Sequence, residues 1–114
     1  ILASAVLHHL RDDNDWENVF TKLFKSLKIN GCLLISDLVT QNNESLNQLL
    51  QQLYADYLEK TGGNEFRKKV LDYIEKEDTP RSVTYQLELM KKIGFRDVEI
   101  LHKNVCYASF GGIK

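Results

Sequence analysis

Two short apolar segments separated by one amphipathic helix constrain this chain more than any other feature. Ile1 to Val6 is apolar with small residues inserted, and Cys32 to Ser36 is a continuous apolar run ending at Asp37. The run is too short for a helix and is flanked by turn residues, so it reads as a strand covered on both faces, as in a parallel sheet. Between them Trp16, Val19, Phe20, Leu23, Phe24 and Leu27 recur at spacings of three and four, the stripe of a helix packed on a core. Asn14, with Glu17 three residues on, is the expected cap, and Asn30-Gly31 the expected stop, Gly31 taking the left-handed conformation. Strand, helix and strand within forty residues make a crossover unit, and the fold class that follows is α/β.

The middle third changes character. From Glu44 to Lys60 the residues Leu46, Leu49, Leu50, Leu53, Tyr54, Tyr57 and Leu58 share one helical face. Thr61-Gly62-Gly63-Asn64 breaks this helix, and a second one follows to about Lys76, so a helical hairpin is inserted at about 40–78. Glu75 to Asp78 is a charged connector. A third helix begins after Pro80, with Ser82 as cap and Gly94 as terminator. Val98 to Lys103 and Val105 to Phe110 read as two strands of a hairpin with Lys103 and Asn104 between them, and Gly111-Gly112 as the close of the chain.

Composition excludes several function classes. Fifteen basic and 16 acidic residues leave a net charge of −1, which attracts neither nucleic acid nor membrane by bulk charge. No apolar run approaches the ~20 residues a bilayer requires, so no membrane partner is expected and a cytoplasmic location is. Cys32 and Cys106 lie in apolar segments and read as buried, reduced thiols. The chain starts at Ile1 inside what reads as a strand, as expected of a piece of a longer protein.

His8 and His9 at the end of the first strand are the most visible chemical candidates, at the place where open α/β sheets bind ligands. One is expected to pack under the next helix and one to face the crevice. No metal is expected, because Cys32, Cys106 and His102 offer no recognisable ligand spacing. A hydrolase triad of Ser4, Asp37 and His102 lacks a glycine-flanked nucleophile turn, and Asp37 reads more simply as a cap on the following segment. No phosphate-binding glycine loop is present.

The segments Ser4-Ala5-Val6-Leu7-His8-His9-Leu10, Leu27-Lys28-Ile29-Asn30-Gly31, Leu33-Leu34-Ile35-Ser36-Asp37 and Ile93-Gly94-Phe95 with Asp97-Val98-Glu99-Ile100 occur in an order that resembles the later part of a Rossmann-like (class I) S-adenosylmethionine-dependent methyltransferase. Ile29 and Asn30 stand where that family usually has Pro and Gly. The resemblance implies a partial methyltransferase sheet of the family's strands four to seven, in the spatial order 4-5-7-6 with the last strand antiparallel, and with residues 1–114 forming the carboxyl-terminal part of one domain. An antiparallel last strand puts Cys32 and Cys106 toward opposite ends of adjacent strands, against a disulfide. It further implies S-adenosyl-L-methionine as cofactor in the longer protein, with Ala3, Ser4 and Ala5 lining it largely through backbone groups and Leu7 and His8 nearer the methyl.

His8 or His9 would accept a proton if the acceptor must lose one. Tyr54, Tyr57 and Tyr73 of the insertion would line an acceptor pocket for a small molecule or a tRNA base, or else only pack the insertion on the sheet. The glycine-rich loop and the acidic residue that hold the cofactor in this family are not in the sequence, so the piece alone is expected to be inactive. The competing reading is a non-catalytic α/β module that binds or dimerises through an exposed first strand.

Overall fold

The structure, a computed structural model, describes all 114 residues. The elements are β1 (Leu2–Ser4), a single 3₁₀ turn (Leu7–His9), α1 (Asp13–Ser26), β2 (Cys32–Leu38), α2 (Glu44–Glu77), α3 (Val83–Ile93), β3 (Arg96–Asn104) and β4 (Tyr107–Ile113). One four-stranded sheet runs in the order β1-β2-β4-β3. β1 and β2 are parallel, with Ala3 opposite Ile35, and β4 is antiparallel to both β2 and β3. This is the expected α/β class and the expected strand order.

The core lies on one face of the sheet. Leu33 and Ile35 of β2, with Ala108 and Phe110 of β4, meet Trp16 and Phe20 of α1 and Leu89 and Met90 of α3, all buried. Alternate residues of a strand point to opposite faces, so Cys32 and Leu34 face the other way and are exposed. The continuous apolarity of β2 therefore does not mean cover on both faces within these residues, and of the two thiols only Cys106 is buried.

Local chemistry moves several boundaries. Asp12, not Asn14, caps α1 by accepting the Asp15 amide at 2.9 Å, which starts the helix two residues earlier. The helix ends at Ser26, and the left-handed residue of the turn is Asn30 (φ 65°) rather than Gly31. Gly31 is needed for closeness instead: a Cβ there would sit 2.9 Å from the Lys28 carbonyl oxygen. Gly111 and Gly112 do not close the chain but pair within β4, and a Cβ on Gly111 would lie 2.2 Å from the Leu33 carbonyl oxygen. Ser82 caps α3 through the Tyr85 amide at 3.1 Å and Gly94 (φ 123°) ends it, both as expected.

α2 bends at Gly63 (φ 86°, ψ 179°). Gln48, Gln51 and Gln52 line the same cavity as Leu71, Ile74 and Glu75. In a straight helix residues so far apart would be about 30 Å from each other, at 1.5 Å per residue, so the two arms fold back as the expected hairpin. Its ends meet at the sheet, where Thr40 bridges Ser82 and the Val39 amide donates to the Cys106 carbonyl at 2.7 Å.

Candidate functional site

The chain leaves β1 through Ala5, whose φ of 52° is a left-handed conformation that non-glycine residues adopt rarely. The Ala5 amide donates to the Ser36 carbonyl at 2.9 Å, continuing the pairing with β2, and the 3₁₀ turn follows at once. Asp37, 1% exposed, holds this turn in place. Its Oδ2 accepts the amides of Leu7 at 2.7 Å and His8 at 3.3 Å, and its Oδ1 accepts the Leu38 amide at 2.8 Å and is hydrogen-bonded by His8 Nδ1. Asp37 thus caps a turn thirty residues upstream, not the segment after it. An ionised carboxylate has only lone pairs to offer, so the His8 tautomer with the proton on Nδ1 is favoured and Nε2 is left with a free lone pair.

The Nε2 edge meets a second carboxyl group. Asp78 Oδ2 lies 3.7 Å from His8 Nε2, and Asp78 Oδ1 lies 2.8 Å from His9 Nδ1, an approach too oblique to be a hydrogen bond. The connector is pinned here by the Thr79 amide, which donates to the His8 carbonyl at 2.8 Å, and by the Thr79 hydroxyl on the Leu10 carbonyl. The two histidines differ in exposure: the His8 side chain is 11% exposed and that of His9 48%. Asp78 is the residue that sequence reading missed. It sits in what looked like a solvated charged connector, and only its place immediately before Thr79-Pro80 marked it.

The other expected site residues fall into three groups. Ser4 and Ala5 are exposed at the carboxyl end of β1, whereas the Ala3 side chain is buried against the α1 side. The Leu7 side chain is buried in the core, its amide is bound to Asp37 and its carbonyl accepts the Leu10 amide. The triad of Ser4, Asp37 and His102 is not assembled, since His8 occupies Asp37 and His102 pairs with Ser109 in the β3–β4 hairpin.

Tyr54 and Tyr57 stack at 6.4 Å between ring centroids, and Tyr54 meets Tyr107 edge-on at 6.0 Å. With Ser36, His102 and Ser109 these rings line a cavity of about 520 Å³. Burial, reinforced by the hydrogen bond with Tyr107, pushes the Tyr54 hydroxyl far above its ordinary pKa, so it remains a neutral donor and acceptor. Tyr73 is exposed on the second arm and lines neither this cavity nor the one of about 560 Å³ between the arms. Tyr107 took its place, contributed by a strand rather than by the insertion.

No protein-family model matches the chain. Among curated proteins it is 27% identical over 99 residues to a carboxy-S-adenosyl-L-methionine synthase of Nautilia profundicola, covering 86% of this chain and 42% of that protein. A protein of the same name from Helicobacter pylori is 29% identical over 91 residues, 76% of this chain and 36% of that one. The chain therefore spans less than half the length of the relatives it matches. Among solved structures it superposes on human N-acetylserotonin methyltransferase in complex with SAM with a TM-score of 0.61 at 19% identity, covering 99% of this chain and 29% of that one. An O-methyltransferase family protein from Burkholderia thailandensis gives 0.63 at 15% identity over the same shares. With its antiparallel last strand, its β1-β2-β4-β3 order and these likenesses in sequence and structure, the chain has the fold of the later strands of the Rossmann-like, class I S-adenosylmethionine-dependent methyltransferases.

Proposed function

We propose that the chain is the carboxyl-terminal part of an S-adenosylmethionine-dependent methyltransferase acting on a small molecule or a tRNA base. The observation that carries the reading is the parallel pairing of β1 with β2, whose carboxyl ends, carrying Ser4 and Asp37, lie where open α/β sheets bind ligands. Small, exposed residues at that end, Ser4 and Ala5, leave room for a nucleoside beside the strand, so the residues present fit the cofactor. The cofactor supplies an activated methyl; the protein aligns it with the acceptor and excludes water. Where the acceptor must lose a proton, the histidine pair supplies the basic edge, with Asp37 fixing the His8 tautomer. Tyr54, Tyr57 and Tyr107 form the wall we assign to the acceptor. The remaining cofactor contacts belong to sequence outside these 114 residues, which alone are inactive on this reading.

The name of the sequence relatives favours a second reading, in which S-adenosylmethionine itself is converted to a derivative. Incubating the whole protein with methyl-labelled S-adenosylmethionine and candidate acceptors separates the two. Methyl transfer moves the label onto the acceptor; the second reading keeps it on the sulfonium nucleoside. Label that stays in unmodified S-adenosylmethionine with every acceptor, and no new nucleoside product, contradicts both.

A further inference from the structure

We propose that His8, His9 and Asp78 form a binding site for one divalent transition-metal ion. One ligand atom from each residue lies within 4.8 Å of the other two. An ion with nitrogen and oxygen ligands at about 2.0–2.2 Å holds those ligands about 3.0–3.5 Å from one another. The His8 Nε2 to Asp78 Oδ2 distance of 3.7 Å and the His9 Nδ1 to Asp78 Oδ1 distance of 2.8 Å lie on either side of that range, each through a different carboxylate oxygen, so the three ligands must draw together from within 4.8 Å as the ion binds.

Two further observations point to a ligand rather than to an ordinary ion pair. The Asp78 side chain is 3% exposed, yet its Oδ1 has no hydrogen-bond partner, and buried carboxylate oxygens are rarely left so. His8 is already arranged as metal-binding histidines are: a buried carboxylate, Asp37, takes Nδ1 and turns the Nε2 lone pair toward Asp78 and His9. The cluster also places two buried carboxyl groups against imidazoles that carry charge only when protonated, and a divalent ion supplies the missing counter-charge.

Two imidazoles and one carboxylate select zinc, cobalt, iron or manganese over magnesium or calcium, which prefer oxygen. Three protein ligands leave a coordination position for water or for an oxygen donor, reached from the half-exposed His9 side. If the chain works as proposed above, an ion here would hold an acceptor oxygen and ease loss of its proton in place of the imidazole. That role rests on the methyltransferase reading, whereas binding of the ion does not.

The test is to strip the whole protein with a chelator and titrate it with Co²⁺, without S-adenosylmethionine, following visible d–d absorption. The expected result is one equivalent bound, displaced by Zn²⁺ and not by equimolar Mg²⁺. Asp78→Asn and His9→Ala should each weaken binding at least tenfold, while His102→Ala leaves it unchanged. His9 is half-exposed, so its variant should fold, as an unchanged circular dichroism spectrum would verify. Absence of d–d bands at stoichiometric Co²⁺, or a His9→Ala titration that superposes on wild type, overturns the proposal. Because no cofactor is added, either outcome is independent of whether the protein binds S-adenosylmethionine.

Discussion

The sheet with α1 and α3 and the hairpin α2 are built from similar proportions of leucine and aromatic side chain, yet they use it in different ways. The 11 residues of α3 bury four side chains, whereas the 34 residues of α2 bury Ala55 and Leu58 only. Leu46, Leu49, Leu53 and Tyr57 of the first arm are half-exposed or more. The sheet region holds its shape by burial; the hairpin is attached at its base and by a few contacts to the β3–β4 turn, among them Cys106 Sγ to the Leu50 carbonyl at 3.5 Å. Amphipathic periodicity thus reports that a helix has an apolar face, and leaves open whether the same chain covers it.

The largest expected effect separates the halves by mutation. Phe110→Ala should cost about 3–5 kcal/mol, the range for an aromatic ring removed from a packed core. Leu49→Ala in the hairpin should stay within about 0.5 kcal/mol. Urea melts of the two variants measure the contrast, and equal losses would remove it.

A smaller effect should appear in alkali. Burial raises the Cys106 thiol above its ordinary pKa of 9.0, with Lys103 opposing, and raises Tyr54 above 10.0. Folding therefore favours the protonated forms. Their stabilisation is complete below the ordinary values and is lost as pH rises through the higher folded ones. Both groups sit where the first arm meets the β3–β4 turn, so the hairpin should loosen before the sheet. Limited proteolysis at Arg67 should quicken as pH rises above about 9 while the near-ultraviolet signal of the buried Trp16 persists; simultaneous loss of both would show a single cooperative unit.

The smallest effect concerns the turn itself. Val105 adopts φ 53°, a strained conformation for a β-branched residue. Val105→Gly should stabilise by about 1 kcal/mol, read as a rise in melting temperature.

Much of the fold was legible because its signals are local. Ser82 and Gly94 bound α3 through their own side-chain oxygen and backbone freedom, and both stand where the residue types placed them. The hairpin bend was marked by Gly62-Gly63, although only Gly63 takes the unusual conformation. Asp12 and Asn14 are both competent caps, and local pattern alone could not choose between them. Gly111 was misread because its reason is non-local: the β2 backbone passes where a Cβ would be. The candidate site divides in the same way. His8 and His9 were visible as adjacent residues after a strand, and Asp37 as a strand-end acid. Asp78 lies about seventy positions from the histidines, and only the fold brings it to them.

On the function proposed above, these 114 residues carry one side of an S-adenosylmethionine site and the rest of the protein carries the other. Isothermal calorimetry with S-adenosylmethionine, on the whole protein and on residues 1–114 at equal concentration, tests it most directly. Saturable binding to the whole protein is expected, and none in the micromolar range to residues 1–114. Micromolar binding to residues 1–114, or none to either, would contradict it.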